Sequence, residues 1–248
     1  MKPFVSIITP SYNSIGFIDE TINSIINQKY SNWELLITDD CSTDETWNLL
    51  ERYASRDKRI KIFKLDCNSG PGFARNNSIN HASGRFIAFC DSDDQWKPDK
   101  LEKQLAVMLE KDCALSFSSY SVIDEDGNHK KNIIAKDEVD YRTMLRNNYI
   151  GCLTAMYDTE KVGKMYMPKI RKRQDWALWL SILKKSDKAF GIKEPLAIYR
   201  DRNDSISTNK LNLLKYNRAI YREVEGFSKF KSNLLILRFL FFYFCSKI

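Results

Sequence analysis

Arg85-Phe-Ile-Ala-Phe-Cys-Asp-Ser-Asp-Asp94 is an apolar run that ends directly in three carboxylates. The run Phe86–Cys90 shows no polar alternation, the pattern of a strand covered on both faces. Three acids within four residues at the end of such a strand repel one another unless a cation sits among them. Hard oxygen ligands of this kind suit Mg²⁺ or Mn²⁺, which can bridge to the oxygens of a diphosphate. A solvated turn capping the helix that Pro98 opens would use the same residues, because a lone Asp-x-Asp is common. What surrounds the stretch decides between the two.

Upstream, strand and helix signals alternate. Val5–Thr9 is a short apolar run closed by Pro10, and Ile18, Ile22, Ile25 and Ile26 then recur at helical spacing. Leu35–Thr38 reads as a second buried strand. Ser42-Thr-Asp-Glu45 has capping-box form and opens a helix carrying Trp47, Leu50 and Tyr53. Ile60–Leu65 is a third strand, and Gly70-Pro-Gly72 leads into a helix over Phe73–His81. After the fourth strand, Pro98 starts a helix with Leu101, Leu105, Met108 and Leu109 on one face. Strands alternating with helices of this length imply βαβ units, hence an α/β fold with a mainly parallel sheet between helical layers. Beyond about residue 115 the pattern loosens: Ala114–Ser119 and Gly151–Tyr157 read as strands, Asp124–Gly127 as a turn and Asp175–Lys185 as a helix.

In open parallel sheets ligands bind beyond the carboxyl ends of the strands. Thr9-Pro-Ser-Tyr-Asn13 follows the first strand, Asp39-Asp40 the second, Asn68-Ser-Gly70 the third and Asp91-Ser-Asp-Asp94 the fourth. The four loops should meet at one edge. Asp39 and Asp40 are either helix-capping acids or a carboxylate that accepts the imide N–H of a uracil ring. Arg75, one turn into the third helix, would approach a base or phosphates, or form a surface ion pair. In Gln174-Asp-Trp-Ala-Leu-Trp-Leu180 the apolar face of Trp176, Trp179, Leu180 and Leu183 belongs to a core. Asp175 at its start either caps the helix or acts as a general base toward a sugar hydroxyl.

Whole-chain numbers set the exclusions. At 248 residues, 43% hydrophobic and 29% charged, the chain can bury a sizeable core. Its six cysteines form no C-x-x-C pair and the first strand opens at Val5, so reduced thiols and a cytosolic location are expected. With only His81 and His129, acid/base chemistry falls on carboxylates. No G-x-G-x-x-G follows the first strand and no G-x-x-x-x-G-K-[ST] occurs, which excludes an ordinary dinucleotide site and a P-loop. The net charge of +7 favours an anionic partner. Nucleic acid is disfavoured because the lysines and arginines are spread along the chain rather than gathered with aromatics.

Taken in order, Val5-Ser-Ile-Ile-Thr-Pro-Ser-Tyr-Asn13, Thr38-Asp-Asp-Cys-Ser-Thr-Asp44, Asn68-Ser-Gly-Pro-Gly-Phe-Ala-Arg-Asn76, Asp91-Ser-Asp-Asp94 and Gln174-Asp-Trp-Ala-Leu-Trp179 resemble the family 2 inverting glycosyltransferases. The resemblance spans roughly residues 3–210 and implies the GT-A fold, a Rossmann-like sheet flanked by helices. It implies a nucleotide pocket at Pro10, Tyr12, Asp40, Asn68 and Arg75. Asp91 and Asp93 would serve ribose, diphosphate and a Mn²⁺ or Mg²⁺ ion, with Asp93 the direct ligand. Asp175 would deprotonate the acceptor for a single in-line displacement. Two departures stand out: Gln174 occupies a position that is often Glu, and Arg202 one that is often His. Arg200 and Arg202 are therefore candidate phosphate or acceptor contacts. The implied layout is a catalytic domain over residues 1–208, with a nucleotide-binding half at 1–115 and an acceptor-side half at 116–208.

The basic tail and Tyr199-Arg-Asp-Arg-Asn-Asp-Ser-Ile-Ser207 resemble bacterial members that extend lipid-linked O-antigen or capsule repeats. That implies UDP-glucose or UDP-galactose as donor and a saccharide on undecaprenyl diphosphate as acceptor. A non-catalytic nucleotide- or glycan-binding protein of the same fold is the alternative. Residues 209–248 form a helical tail whose apolar run Leu234–Cys245 is too short to span a bilayer. Lys229, Lys231, Arg238 and Lys247 flank or interrupt it, so the tail either lies on the cytoplasmic face of the inner membrane or packs on the domain. If it anchors, deleting it should release the protein from the membrane fraction. The basic run Lys169-Ile-Arg-Lys-Arg173 would meet an acceptor diphosphate or stay solvated.

Overall fold

The computed structural model describes residues 4–202 and 210–245, with the side chains of 210–213 and 241–245 left aside. Ten strands run β1 (Val5–Ser11), β2 (Trp33–Asp39), β3 (Ile60–Lys64), β4 (Phe86–Phe89), β5 (Gln95–Trp96), β6 (Leu115–Ile123), β7 (His129–Ile133), β8 (Glu138–Asp140), β9 (Met156–Asp158) and β10 (Lys188–Arg200). The helices are α1 (Ile18–Ile26), α2 (Thr46–Arg56), α3 (Pro71–His81), α4 (Lys100–Glu110), α5 (Tyr141–Met144), α6 (Thr159–Val162), α7 (Gln174–Leu183), α8 (Lys210–Ala219) and α9 (Lys229–Cys245). A π-helical turn at Ile220–Val224 joins the last two.

All strands share one sheet in the order β3-β2-β1-β4-β9-β6-β10-β5, with β7 on β6 and β8 on β10. The first four are parallel, as the βαβ pattern requires. β9 then enters antiparallel between β4 and β6, and β6 and β10 resume parallel pairing. Alternation along the strands sends residues to both faces. Val5, Ile7, Leu35, Ile37, Phe86 and Ala88 pack on α1, α2 and α4. Ile8, Leu36, Ile87 and Phe89 face Ile79 of α3, the two tryptophans of α7 and Tyr221. Helices therefore cover both sides of a doubly buried sheet.

Several local readings shift. The Ser42–Glu45 capping box does not form: the Ser42 hydroxyl donates to Asp39 Oδ1 at 2.5 Å, and Asp44 Oδ1 accepts the Thr46 amide instead. Gly151–Tyr157 is not one strand. The Gly151 carbonyl accepts both the amide and the hydroxyl of Thr154, closing a 3-10 turn over Cys152–Thr154 before β9 begins. β10 carries little strand signal because Lys193, Glu194 and Pro195 interrupt it, and its register against β6 slips there.

α9 lies against α8 and the π-helical turn, burying Ser232 and Phe239 and laying Leu235 and Ile236 on the core. Its other stripe, Phe230, Leu234 and Leu237, is 81%, 56% and 64% exposed. Among the described residues no helix is long and apolar enough to cross a membrane.

Candidate active site

The strand ends meet as expected. Ser11 is level with Asp39, Asp39 with Lys64, and Ile8 with Phe89, so Asp91 emerges about level with Pro10. The loops are bound to one another. Asn13 Oδ1 accepts the Thr43 amide at 2.8 Å, and Ser42 Oγ accepts the Asn13 amide. Asp40 is 3% exposed, and its two carboxylate oxygens accept the Ser69 and Gly70 amides at 2.7 Å each. That pair fixes the loop entering α3, where Gly70 has φ 90° and leaves Pro71 as first helical residue. Tyr12 and Asn68 are exposed at the mouth, whereas Pro10 is buried. Asn13, Cys41 and Arg173 adopt left-handed backbone (φ 45°, 64° and 60°) around this edge. Such strain collects where the surrounding structure must hold a site's shape.

The fourth loop is joined through charge. Arg75 is 9% exposed and its Nη2 lies 2.6 Å from Asp91 Oδ1. Burial disfavours its charge, but the carboxylates of Asp91 and Asp175 keep the guanidinium firmly protonated. Asp93 pairs with Arg202 at 3.1 Å. Burial, then the repulsion of Asp91, raises the Asp93 pKa. Asp94 is 2% exposed, accepts the Arg200 amide, and is pushed well above the usual carboxylate range by burial and its two acidic neighbours.

This excess of negative charge tests the fit of a divalent ion. Among the described residues no three His, Cys, Asp or Glu side chains converge into a complete cage. A Mg²⁺ or Mn²⁺ ion that takes one or two carboxylates and completes its shell with phosphate oxygens and water needs no such cage. Asp93 and Asp91, partly exposed and mutually repelling, fit that requirement. Arg200 does not suit a phosphate contact. Its guanidinium is 4% exposed and is taken up by Glu20 at 2.5 Å and by the Asp93 and Glu125 carbonyls. Arg202 remains half-buried at the rim, stacked 4.7 Å over Phe17. Residues 203–207 of the Tyr199–Ser207 stretch lie outside the described residues.

Asp175 occupies the first turn of α7, where helix N-termini favour negative charge. Burial raises its pKa, opposed by the Trp176 amide, Arg75, Asn148 and Arg173. It keeps part of its surface open. Gln174 reaches back to the Ile170 carbonyl at 2.5 Å and lies against Gly72, where a Cβ would sit 2.1 Å from its amide nitrogen. Gly72 thus lets α3 and α7 approach, bringing Arg75 into range of both Asp91 and Asp175. The loops at the strand ends and the candidate base consequently share one buried cation.

Residues 6–166 match the profile of Glycosyl transferase family 2. The chain belongs to this family. A Bacillus subtilis (strain 168) relative, the putative teichuronic acid biosynthesis glycosyltransferase TuaG, is 47% identical over 239 residues, covering 96% of this chain and 95% of that protein. The Escherichia coli UDP-Glc:alpha-D-GlcNAc-diphosphoundecaprenol beta-1,3-glucosyltransferase WfgD is 40% identical over 213 residues, covering 85% and 82%. Staphylococcus aureus TarS 1-349, solved with UDP, superposes with a TM-score of 0.74 at 22% identity over 96% of this chain and 70% of its own. The fold is GT-A and the protein is a glycosyltransferase.

Residues that the sequence reading passed over complete the site. Asn148 donates to Asp175, Glu20 accepts from Arg200 and Gln95, and Cys152 and Tyr120 lie within electrostatic range of Asp175. Glu20 lies between the apolar positions of α1, while Tyr120, Asn148 and Cys152 stand singly in later segments, so only the fold brings the four together.

Proposed function

We propose that this glycosyltransferase moves a hexose from UDP-glucose or UDP-galactose to a saccharide carried on undecaprenyl diphosphate, with inversion, in O-antigen- or capsule-type polysaccharide synthesis. The observation that carries the reading is the shared Arg75, which joins the carboxylate of Asp91 on the donor side to Asp175 on the acceptor side. The UDP-glucose and diphosphoundecaprenol chemistry in the name of WfgD supports the choice of donor and acceptor.

In this reading Pro10, Tyr12, Asn68 and the loop held by Asp40 line the nucleotide pocket, with Arg75 and Asp91 at its inner end. Asp93, with Asp91, would hold Mn²⁺ or Mg²⁺, which when bound offsets charge on the departing diphosphate. Asp175 removes the acceptor hydroxyl proton as that oxygen attacks the anomeric carbon, and the bond to UDP breaks on the opposite face. A raised pKa makes Asp175 the stronger base, while Arg75, Arg173 and Asn148 preserve its ionised form. Arg202, paired with Asp93, stands where a diphosphate would arrive. The tail supports association with the cytoplasmic face of the inner membrane, because the exposed stripe Phe230, Leu234 and Leu237 lies among Lys229, Lys231 and Arg238.

The test is incubation with Mn²⁺, separate UDP-hexoses and a synthetic GlcNAc- or GalNAc-diphosphate-lipid, read by mass spectrometry. One hexose should be added from one donor, and Asp175→Asn and Asp93→Ala should abolish it. Transfer that survives Asp175→Asn would overturn the assignment of the base. UDP binding without transfer from any donor would favour a non-catalytic binding protein.

A further inference from the structure

A half-buried base must be aimed as well as ionised, and the structure shows which groups do the aiming. Asn148 Nδ2 donates to Asp175 Oδ2 at 2.9 Å. The other end of the same amide accepts the Ile150 backbone N–H at 3.2 Å, which fixes which face of Asn148 meets the carboxylate. Asn148 follows α5, a single turn whose terminal carbonyls have no partner within the helix. Trp176 Nε1 takes the Met144 carbonyl and Tyr221 Oη takes the Leu145 carbonyl, both at 2.7 Å. Trp176 and Tyr221 are fully buried and meet edge to face, ring centroids 5.8 Å apart. On the near side of α5, the Tyr141 hydroxyl donates to Glu225, which also pairs with Lys184, the residue that ends α7, at 2.9 Å. The segment leading to Asn148 is therefore clamped between α7 and the π-helical turn of the C-terminal region.

We propose that Asn148 is a positioning residue for Asp175, and that the C-terminal segment acts on the base through Tyr221 by holding the 145–148 backbone. The inference rests on the reading of Asp175 as the base. It gives the C-terminal region a part in catalysis apart from any membrane contact. The charged and titratable groups facing Asp175 are Arg75 from α3, Arg173 from the preceding loop, Tyr120 from β6 and Cys152 from the 3-10 turn. Asn148 differs from the two arginines in being neutral, and from the uncharged Tyr120 and Cys152 in making a hydrogen bond with the carboxylate. Such a donor favours the ionised form and fixes one oxygen, yet adds no full charge that would weaken the base.

The test titrates the full chain labelled with ¹³Cγ-aspartate by NMR, the Asp175 signal being identified by its loss in Asp175→Asn. Asn148→Ala should raise the midpoint of that signal by roughly one pH unit, the equivalent of one lost hydrogen bond to a charged group. The acid limb of kcat should move up with it, while KM for the UDP-sugar stays within about twofold. Tyr221→Phe keeps the ring against Trp176 and removes only the hydroxyl, so it should shift the midpoint in the same direction by less. Asn148→Ser, smaller and still polar, serves if the alanine variant does not fold. An unchanged midpoint in both Asn148 variants overturns the proposal. So does a shifted midpoint with an unmoved kcat profile in an enzyme that Asp175→Asn inactivates. Transfer retained by Asp175→Asn instead removes the base assignment and leaves the NMR shift to report Asn148 alone.

Discussion

Arg75 and Asp175 sit within electrostatic reach across the α3–α7 contact, and Arg75 simultaneously holds Asp91 at 2.6 Å. One guanidinium thus neutralises carboxylates that belong to opposite ends of the proposed reaction. Removing it leaves Asp91 without its ion pair and takes from Asp175 one of its two neighbouring cations. Arg75→Met should lower kcat by on the order of 10² or more and destabilise the fold by about 3–5 kcal/mol. The acid limb of the pH–rate profile should also move upward, because Asp175 loses a neighbour that lowers its pKa. Arg75→Lys restores charge without the planar fork and should recover stability more than rate. Thermal melts and pH–rate curves on the two variants separate these outcomes.

Lys100 is a second buried cation, and no carboxylate pairs with it among the described residues. Its Nζ donates to Gln104 at 2.6 Å and lies 4.1 Å from the Trp96 ring centroid. Burial lowers its pKa to about 7. An unfolded lysine titrates near 10.4, so the folded state bears its full penalty below pH 7 and sheds it as pH rises from there to about 10. Lys100→Met should therefore stabilise the protein by roughly 1–4 kcal/mol near pH 6, less the unpaired Gln104 oxygen. The gain should shrink steadily toward pH 10. Denaturant titrations at pH 6, 8 and 10 provide the check.

The strand ends were legible because their signals are local. Val5–Thr9, Leu35–Thr38 and Phe86–Cys90 are apolar runs ending in polar clusters, and parallel topology then brings the clusters to one edge. Asp40 shows where that reading stops: its placement at the carboxyl edge of the sheet follows from the sequence, but its two bonds to the Ser69 and Gly70 amides depend on how the third loop folds back. Arg200 and Glu20 are 180 residues apart, and no spacing rule connects them. β9 is three residues long and runs against its neighbours, a feature its composition does not announce. The second half is assembled from such long-range contacts.

Glu34 predicts an acid-labile step. It lies in β2 at 2% exposure and collects the Ser6 hydroxyl, Lys61 and both the amide and hydroxyl of Ser83. Burial alone would raise its pKa, yet Lys61 and these donors together hold it below the usual value. Its stabilisation is complete above the unfolded carboxylate pKa, about 4.3, and disappears as pH falls through the lower folded value. Glu34→Gln should cost about 1–3 kcal/mol at pH 7 and less at pH 4, where the stabilisation has begun to fall. Urea midpoints at the two pH values measure the difference.

The tail yields a different experiment from simple deletion. Leu235 and Ile236 pack on the core, and the buried ring of Phe239 lies 5.6 Å from the guanidinium of Arg173, two residues before Asp175. Removing α9 would uncover these contacts and perturb the site, so loss of membrane binding would be confounded with misfolding. Leu234 and Leu237 point away from the domain, and aspartate there leaves the packed stripe intact. Leu234→Asp with Leu237→Asp should lower partitioning onto phosphatidylglycerol-containing vesicles by tenfold or more, at about 1.5–3 kcal/mol per buried leucine. Binding of the unchanged protein should weaken with salt, since Lys229, Lys231 and Arg238 contribute about 1 kcal/mol each near an anionic surface. Equal partitioning of the double variant, with its melting temperature preserved, would place the membrane contact elsewhere on the molecule.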